Sequence, residues 1–293
     1  MSEKETLPLI TIGVSAYNRK DYLRECLNSL LVQTYKNCEI IVVDDGSVDG
    51  TGDMVRNEFP QVRYIYQENA GDAAAKNTAA FAARGEYIVF NDSDDLFYPD
   101  AVERLYNALG GRKGVCSYGG YTAIDGAGNI LPTKKKMPVL PGGDIVEPLL
   151  KQIMVYNCGF LMPVELFCSM GGYQVGMKGY YDYKLALNIA AEYPIFAEQE
   201  PVFYRRRHDS NISAHTYDKI MVGFHVFDDF ISEHPEVAAK YPDTVRKRYA
   251  KIHILLAREA RKEKRDKKLV KHHCTEALKN HFSLKHLWRY LFW

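Results

Sequence analysis

Three carboxylates fall within four residues at Asp92-Ser93-Asp94-Asp95, and an earlier apolar run ends in a second acidic pair, Asp44-Asp45. Carboxylates this crowded repel one another, which raises at least one pKa unless a cation intervenes. All-oxygen ligation suits Mg²⁺ or Mn²⁺, and two carboxylates are too few to cage either ion. Such ions complete their shell with water and substrate phosphates, so a diphosphate-bearing ligand is a natural inference. The run is also good turn chemistry, fit to cap a helix starting at Pro99. Asp44-Asp45-Gly46-Ser47 equally reads as a strand-to-helix turn with Ser47 or Asp49 as its cap. Spacing alone leaves both readings open.

The elements around these groups favour the chemical one. Residues 9–15, LITIGVS, are a short β-rich run, and 21–34 place Leu23, Leu27, Leu30 and Leu31 on one helical face. EIIVVDD (39–45) is almost continuously apolar, as a strand buried on both faces must be. A helix near 50–58, a strand at 62–68, an Ala-rich helix at 71–85 closed by Gly85 and a strand at 86–92 follow. Strand–helix–strand at this spacing predicts a Rossmann-like, mostly parallel sheet flanked by helices, an α/β fold with right-handed crossovers. Ligands bind beyond the carboxyl ends of such strands, where both acidic clusters fall. Past Asp95 a helix runs to about 109, Gly- and Pro-rich loops follow, 183–193 is amphipathic, and the pattern is helical from about 218 onward.

Composition bounds the class. The chain has 293 residues, 46% hydrophobic and 26% charged, which excludes a disordered, collagen-like or disulfide-scaffold protein. With 38 Lys/Arg against 37 Asp/Glu, a whole-chain basic field for nucleic acid is absent, so no nucleic-acid partner is expected. Residues 258–293 nevertheless hold eleven Lys/Arg against four Asp/Glu, leaving the rest of the chain acidic. The six cysteines are widely spaced, as free thiols of a reducing compartment would be. Neither a signal-peptide pattern nor an apolar run of about 18 residues occurs, which makes the cytoplasm the expected location.

The stretch from Pro8 to Thr51, with ENAGDAAAKNTAAFAARGEYIVFNDSDDLFYPD (68–100), closely resembles the inverting nucleotide-sugar glycosyltransferases of family 2, which have the GT-A fold. The resemblance is strong over about 7–110 and weak over 111–215. It implies a nucleotide-sugar-binding half (1–110), an acceptor-binding half (111–217) and a C-terminal helical extension (218–293). It implies that Asp94 ligates the metal, Mn²⁺ or Mg²⁺, with Asp92 and Asp95 beside the donor. Asp45 corresponds to the carboxylate facing the nucleotide base, and Ser15 and Tyr17 to residues lining that base. Lys76 stands where the family commonly has Arg; it can approach a phosphate as a point charge, or it is a solvated helix-face charge. Asp182 matches the general base of a Glu-Asp pair whose Glu is replaced here by Tyr181; it also suits a helix cap. Arg205, Arg206, Arg207 and His208 resemble a basic segment that closes over the diphosphate, with His208 the foremost candidate and at least one Arg an exposed charge.

The expected partners are a nucleoside-diphosphate sugar, most readily a UDP-sugar, and a glycan or lipid-linked acceptor of cell-surface polysaccharide or glycoconjugate synthesis. A nucleotidyltransferase would want a Gly-rich loop after the first strand, where SAYNRKD stands, and a dehydrogenase would want GxGxxG. A catalytically inactive scaffold is the remaining alternative. The tail pairs basic residues with Leu284, Leu287, Trp288 and Leu291 on one helical face. That pattern fits an interfacial anchor on anionic lipid at the inner membrane face, or a helix docked on this chain or on a second copy.

Overall fold

The computed structural model describes residues 7–132, 139–207, 216–283 and 289. Its strands are β1 (Ile10–Ala16), β2 (Cys38–Asp44), β3 (Arg63–Tyr66), β4 (Tyr87–Asp92), β5 (Leu96–Phe97), β6 (Cys116–Ile124), β7 (Phe160–Pro163) and β8 (Ile195–Arg206). Its helices are α1 (Lys20–Leu31), α2 (Thr51–Glu58), α3 (Asp72–Phe81), α4 (Ala101–Ala108), α5 (Val146–Lys151), α6 (Val164–Ser169), α7 (Tyr181–Glu192), α8 (Tyr217–Glu233), α9 (Pro235–Lys240), α10 (Pro242–Lys262) and α11 (Lys267–Asn280). Two compact units result. The first takes the chain up to Ile145 with Met154–Gly176 and Glu192–Ser210; the second takes Val146–Ile153, Met177–Ala191 and everything from Asn211.

The first unit is built on one eight-stranded sheet, ordered β3-β2-β1-β4-β7-β6-β8-β5. The four strands that the alternating pattern predicts are mutually parallel. Beyond them β7 runs antiparallel to both β4 and β6, while β8 lies parallel to β6. All seven residues of β1 are buried, as expected for a central strand covered on both faces. Leu23, Leu27 and Leu30 of α1 pack against Ile12, Val14 and Val89 in one cluster. Burial of each such side chain contributes about 1.5–3 kcal/mol. Leu31, expected on the same face, is instead partly exposed, because it stands one residue (about 100° of helix) past Leu30.

Two further expectations change. The residue before α2 is Gly50, at φ +84, so neither Ser47 nor Asp49 occupies the cap position. Asp49 still accepts from the Thr51 amide at 3.0 Å and so holds the same turn from one residue earlier. Gly85 does not close α3, which ends at Phe81. Its requirement is a close approach: a Cβ there would sit 2.7 Å from the Thr11 amide nitrogen.

The second unit is helical. Ala250, Ile254 and Ala277 form the apolar contact of α10 with α11. Its polar centre is a buried chain: His253 Nδ1 lies 3.0 Å from His273 Nδ1, and His273 Nε2 lies 2.9 Å from the Tyr217 hydroxyl. Ahead of α7, Tyr180 takes a left-handed conformation (φ +64). Its ring lies so close to Gly223 of α8 that a Cβ there would fall 2.8 Å from it. Among the described residues no helix is long and apolar enough to cross a membrane. The expected tail face at Leu284, Leu287, Trp288 and Leu291 lies outside the described residues.

Candidate active site

At the carboxyl ends of β1, β2 and β4 the first unit gathers Ser15, Asp44, Asp45 and Asp92, because parallel strands deliver their ends to one edge. Asp45 is buried. Its Oδ1 accepts from Gln67 Nε2 (2.7 Å) and the Ala70 amide (2.9 Å), and its Oδ2 from the Gly71 amide (2.8 Å). It therefore fixes the loop that leads into α3. Asp44 accepts from the Ser47 amide and from the Tyr64 hydroxyl, whose pKa burial and this carboxylate push up to about 12.

Lys76 is wholly buried, so it is not a solvated helix-face charge. Its Nζ reaches Asp72 Oδ1 at 2.7 Å and Asp92 Oδ1 at 2.8 Å, linking the start of α3 to the end of β4. Ser15 donates to the same Asp72 carboxylate. Asp92 Oδ1 also accepts from Asn157 Nδ2 at 2.7 Å. A buried ammonium between two carboxylates avoids the cost of an unpaired interior charge and locks both rotamers. Tyr17, just past β1, is half exposed beside this edge.

Asp95 faces inward. Its Oδ1 accepts from the Arg206 amide at 2.8 Å, and the Cys158 thiol donates to its Oδ2 at 3.6 Å. Burial, with the charges of Asp92 and Asp94, raises its pKa well above the usual carboxylate range. The Cys158 thiol is likewise pushed up by burial. Among the described residues Arg206 is the largest wholly buried side chain. Its guanidinium donates to the Asp94 carbonyl (3.0 Å), the Gly126 carbonyl (2.8 Å) and Glu25 (2.5 Å), and it lies over the Tyr22 ring. Arg206 thus clamps the acidic turn from behind. Arg205 lies against Tyr121 and Tyr156, 5.4 and 5.2 Å from their ring centres, whereas Arg207 is exposed. His208 lies outside the described residues.

Ligand atoms of Asp92, Asp95 and Cys158 fall within 4.8 Å of one another. A protonated thiol and a carboxyl with both oxygens engaged are poor donors for a hard cation. The donor set that suits Mg²⁺ or Mn²⁺ is Asp94 with Asp92, both partly exposed, since Asp92 Oδ2 has no hydrogen bond among the described residues. Asp182, in the second unit, sits in the first turn of α7, its Oδ1 accepting from the Tyr183 amide at 2.8 Å. A carboxylate there gains from the helix N-terminus in its ionised form.

Sequence reasoning did not single out Asp72, Asn157, Cys158 or Glu25. Asp72 carried a signal, its i,i+4 spacing to Lys76. The other three meet partners 63 to 181 residues away, and no local pattern marks them.

An uncharacterised glycosyltransferase of Rickettsia conorii is 35% identical over 207 residues, which is 68% of this chain and 34% of that protein. The chain therefore spans about a third of that relative's length. Among solved structures, S. aureus TarS 1-349 in complex with UDP-GlcNAc superposes with a TM-score of 0.62 at 16% identity, over 96% of this chain and 91% of that one. The mannosyltransferase PcManGT from Pyrobaculum calidifontis, in complex with GDP-Man and Mn²⁺, gives 0.65 at 19% identity, over 97% and 78%. Both share its fold, and the family model described as glycosyl transferase family 2 matches residues 11–170, over half of the chain: the protein belongs to that family.

Proposed function

We propose that this protein transfers a sugar from a nucleoside-diphosphate donor, most readily a UDP-sugar, to a hydroxyl of a glycan or lipid-linked acceptor, inverting the anomeric carbon. The observation that carries the reading is the pair Asp92–Asp94 at the end of β4, with Asp92 oriented by Lys76 and Asn157. The pair would hold Mn²⁺ or Mg²⁺, which when bound offsets the charge developing on the leaving diphosphate. The donors carried by TarS and PcManGT support a nucleotide-sugar, and the Mn²⁺ of the latter supports the ion.

In this reading Ser15, Tyr17 and Asp45 border the nucleotide, Tyr17 offering an aromatic face to the base. Asp45 Oδ2 accepts from the Gly71 amide and retains capacity for a base N–H. Lys76 sets the electrostatics behind Asp92, Asp95 braces the turn, and His208 with the basic segment approaches the diphosphate. Asp182 takes the proton of the acceptor hydroxyl as that oxygen bonds to the anomeric carbon and the bond to the diphosphate oxygen breaks. The free thiols and the basic C-terminal segment support work in the cytoplasm against the inner membrane face.

The test is a panel of nucleotide sugars with Mn²⁺, followed by calorimetric binding and nucleoside-diphosphate release, with and without chelator. One donor should bind in a metal-dependent way, and Asp94→Asn should remove that dependence. Binding identical with and without chelator would overturn the metal's part. Pyrophosphate release from a nucleoside triphosphate would favour nucleotidyl transfer, and the absence of any turnover a scaffold.

A further inference from the structure

In the second unit, α5 and α10 border a groove of about 430 Å³ lined by four cations (Lys151, Lys247, Arg248 and Lys251) and two carboxylates, Glu147 and Asp243. Positions 244, 247, 248 and 251 recur at i, i+3, i+4 and i+7, so α10 turns one face into it. The carboxylates are already committed. Glu147 accepts from Lys151 and from the Thr244 hydroxyl, each at 2.8 Å, and Asp243 pairs with Arg246. Lys247, Arg248 and Lys251 have no carboxylate within ion-pair distance among the described residues. Arg248 donates to the Lys151 carbonyl at 3.3 Å, while its buried Nε has no hydrogen-bond partner. Burial and the Arg248 charge pull the Lys251 ammonium below its usual pKa. Lys247 and Lys251 are like charges at i,i+4, offset only in part by Asp243 four residues before Lys247, so this face carries a cost that an anion would remove.

The groove adjoins the helix that bears Asp182. The Tyr183 hydroxyl donates to the Leu149 carbonyl of α5 at 2.9 Å. The Arg248 guanidinium is near enough to Tyr180 and Tyr183 to oppose the rise that burial gives both hydroxyls. We propose that this groove is an oxyanion site that takes a phosphate group carried by the acceptor; the assignment to the acceptor rests on the glycosyl-transfer reading, whereas the site itself does not. A guanidinium supplies paired donors to a phosphate, and flanking ammonium groups supply point charges.

The experiment uses the full chain in chelator, so that metal-assisted binding elsewhere does not contribute, with radiolabelled inorganic phosphate and pyrophosphate in equilibrium dialysis. Saturable, salt-sensitive binding is expected. Lys247→Ala/Lys251→Ala should weaken it at least about fivefold, whereas Lys267→Ala/Lys268→Ala on α11 should change it less than about twofold. No saturable binding, or equal losses in both pairs, would overturn the site. Flotation with phosphatidylglycerol–phosphatidylcholine vesicles separates the sources. Flotation lost only in the groove pair assigns the phosphate to a lipid headgroup and overturns the acceptor assignment; flotation unchanged in that pair supports it. Donor hydrolysis with Mn²⁺ should be the same in the groove pair as in the wild type. Should the wild type hydrolyse no donor while phosphate binding persists, the transfer reading falls and the site stands.

Discussion

The crevice edge of the first unit and the α5–α10 groove of the second are both dense in charge, but they balance it differently. At the crevice, two buried cations hold the acidic groups: Lys76 between Asp72 and Asp92, and Arg206 behind the Asp94–Asp95 turn. Along the groove three cations lie outside ion-pair range of any described carboxylate. Charge closed on partners within the chain fixes geometry, whereas charge left open on a helix face is disposed toward a ligand. The first arrangement should be costly to disturb and the second cheap.

Asp182→Asn should give the largest effect, because it removes the proposed base and leaves the donor crevice intact. We expect nucleotide-sugar turnover to fall by about 10²–10⁴ with donor affinity unchanged; near-normal turnover would show that another group takes the proton. Arg206→Ala should destabilise by about 3–5 kcal/mol, since it empties a wholly buried site and strips the donor from the Asp94 and Gly126 carbonyls. Lys76→Met should cost somewhat less, about 2–4 kcal/mol, because the methionine still fills the interior and Asp72 and Asp92, like Glu25, keep partial access to water. Denaturant unfolding measures both, and a loss under about 1 kcal/mol in either would dissolve the contrast with the groove.

The histidine pair gives a pH-dependent effect. Burial, then His253 and His272, hold His273 at about 4, below its ordinary 6.5. As pH falls the unfolded chain takes up the proton first, so stability is complete above about 6.5 and declines toward 4. The loss should reach about 1–3 kcal/mol at pH 4. A bond between two Nδ1 atoms also requires one of them to be a bare acceptor. His273→Phe should flatten the dependence of the denaturation midpoint on pH; equal slopes in both proteins would assign the effect elsewhere. The smallest change is expected of Lys247→Ala/Lys251→Ala, within about 0.5 kcal/mol, which sets the open face against the closed one.

How legible these features were follows from the range over which each is specified. The alternation of apolar runs in 9–92 gave four parallel strands whose bounds fall within a few residues of the expected ones, because strand and helix periods are local. The strand ends placed the acidic clusters at one edge by the same logic. The later strands were illegible: β6, β7 and β8 are joined across long irregular connections, and their mixed directions follow from pairing rather than period. Lys76 read equally well as solvent-exposed, since an i,i+4 partner does not say whether a helix face is covered.

By itself, the sequence determined the parallel half of the sheet, the carboxylates at its edge, the helical character of the C-terminal part and the family resemblance. Tertiary structure alone decided which charges are interior: that Asp95 turns inward while Asp92 and Asp94 stay partly open, and that Arg206 is buried rather than exposed. It also decided that three α10 cations share one groove with α5. Periodicity acts over a few residues, whereas burying a charge depends on partners supplied from elsewhere, 181 residues away for Arg206 and Glu25.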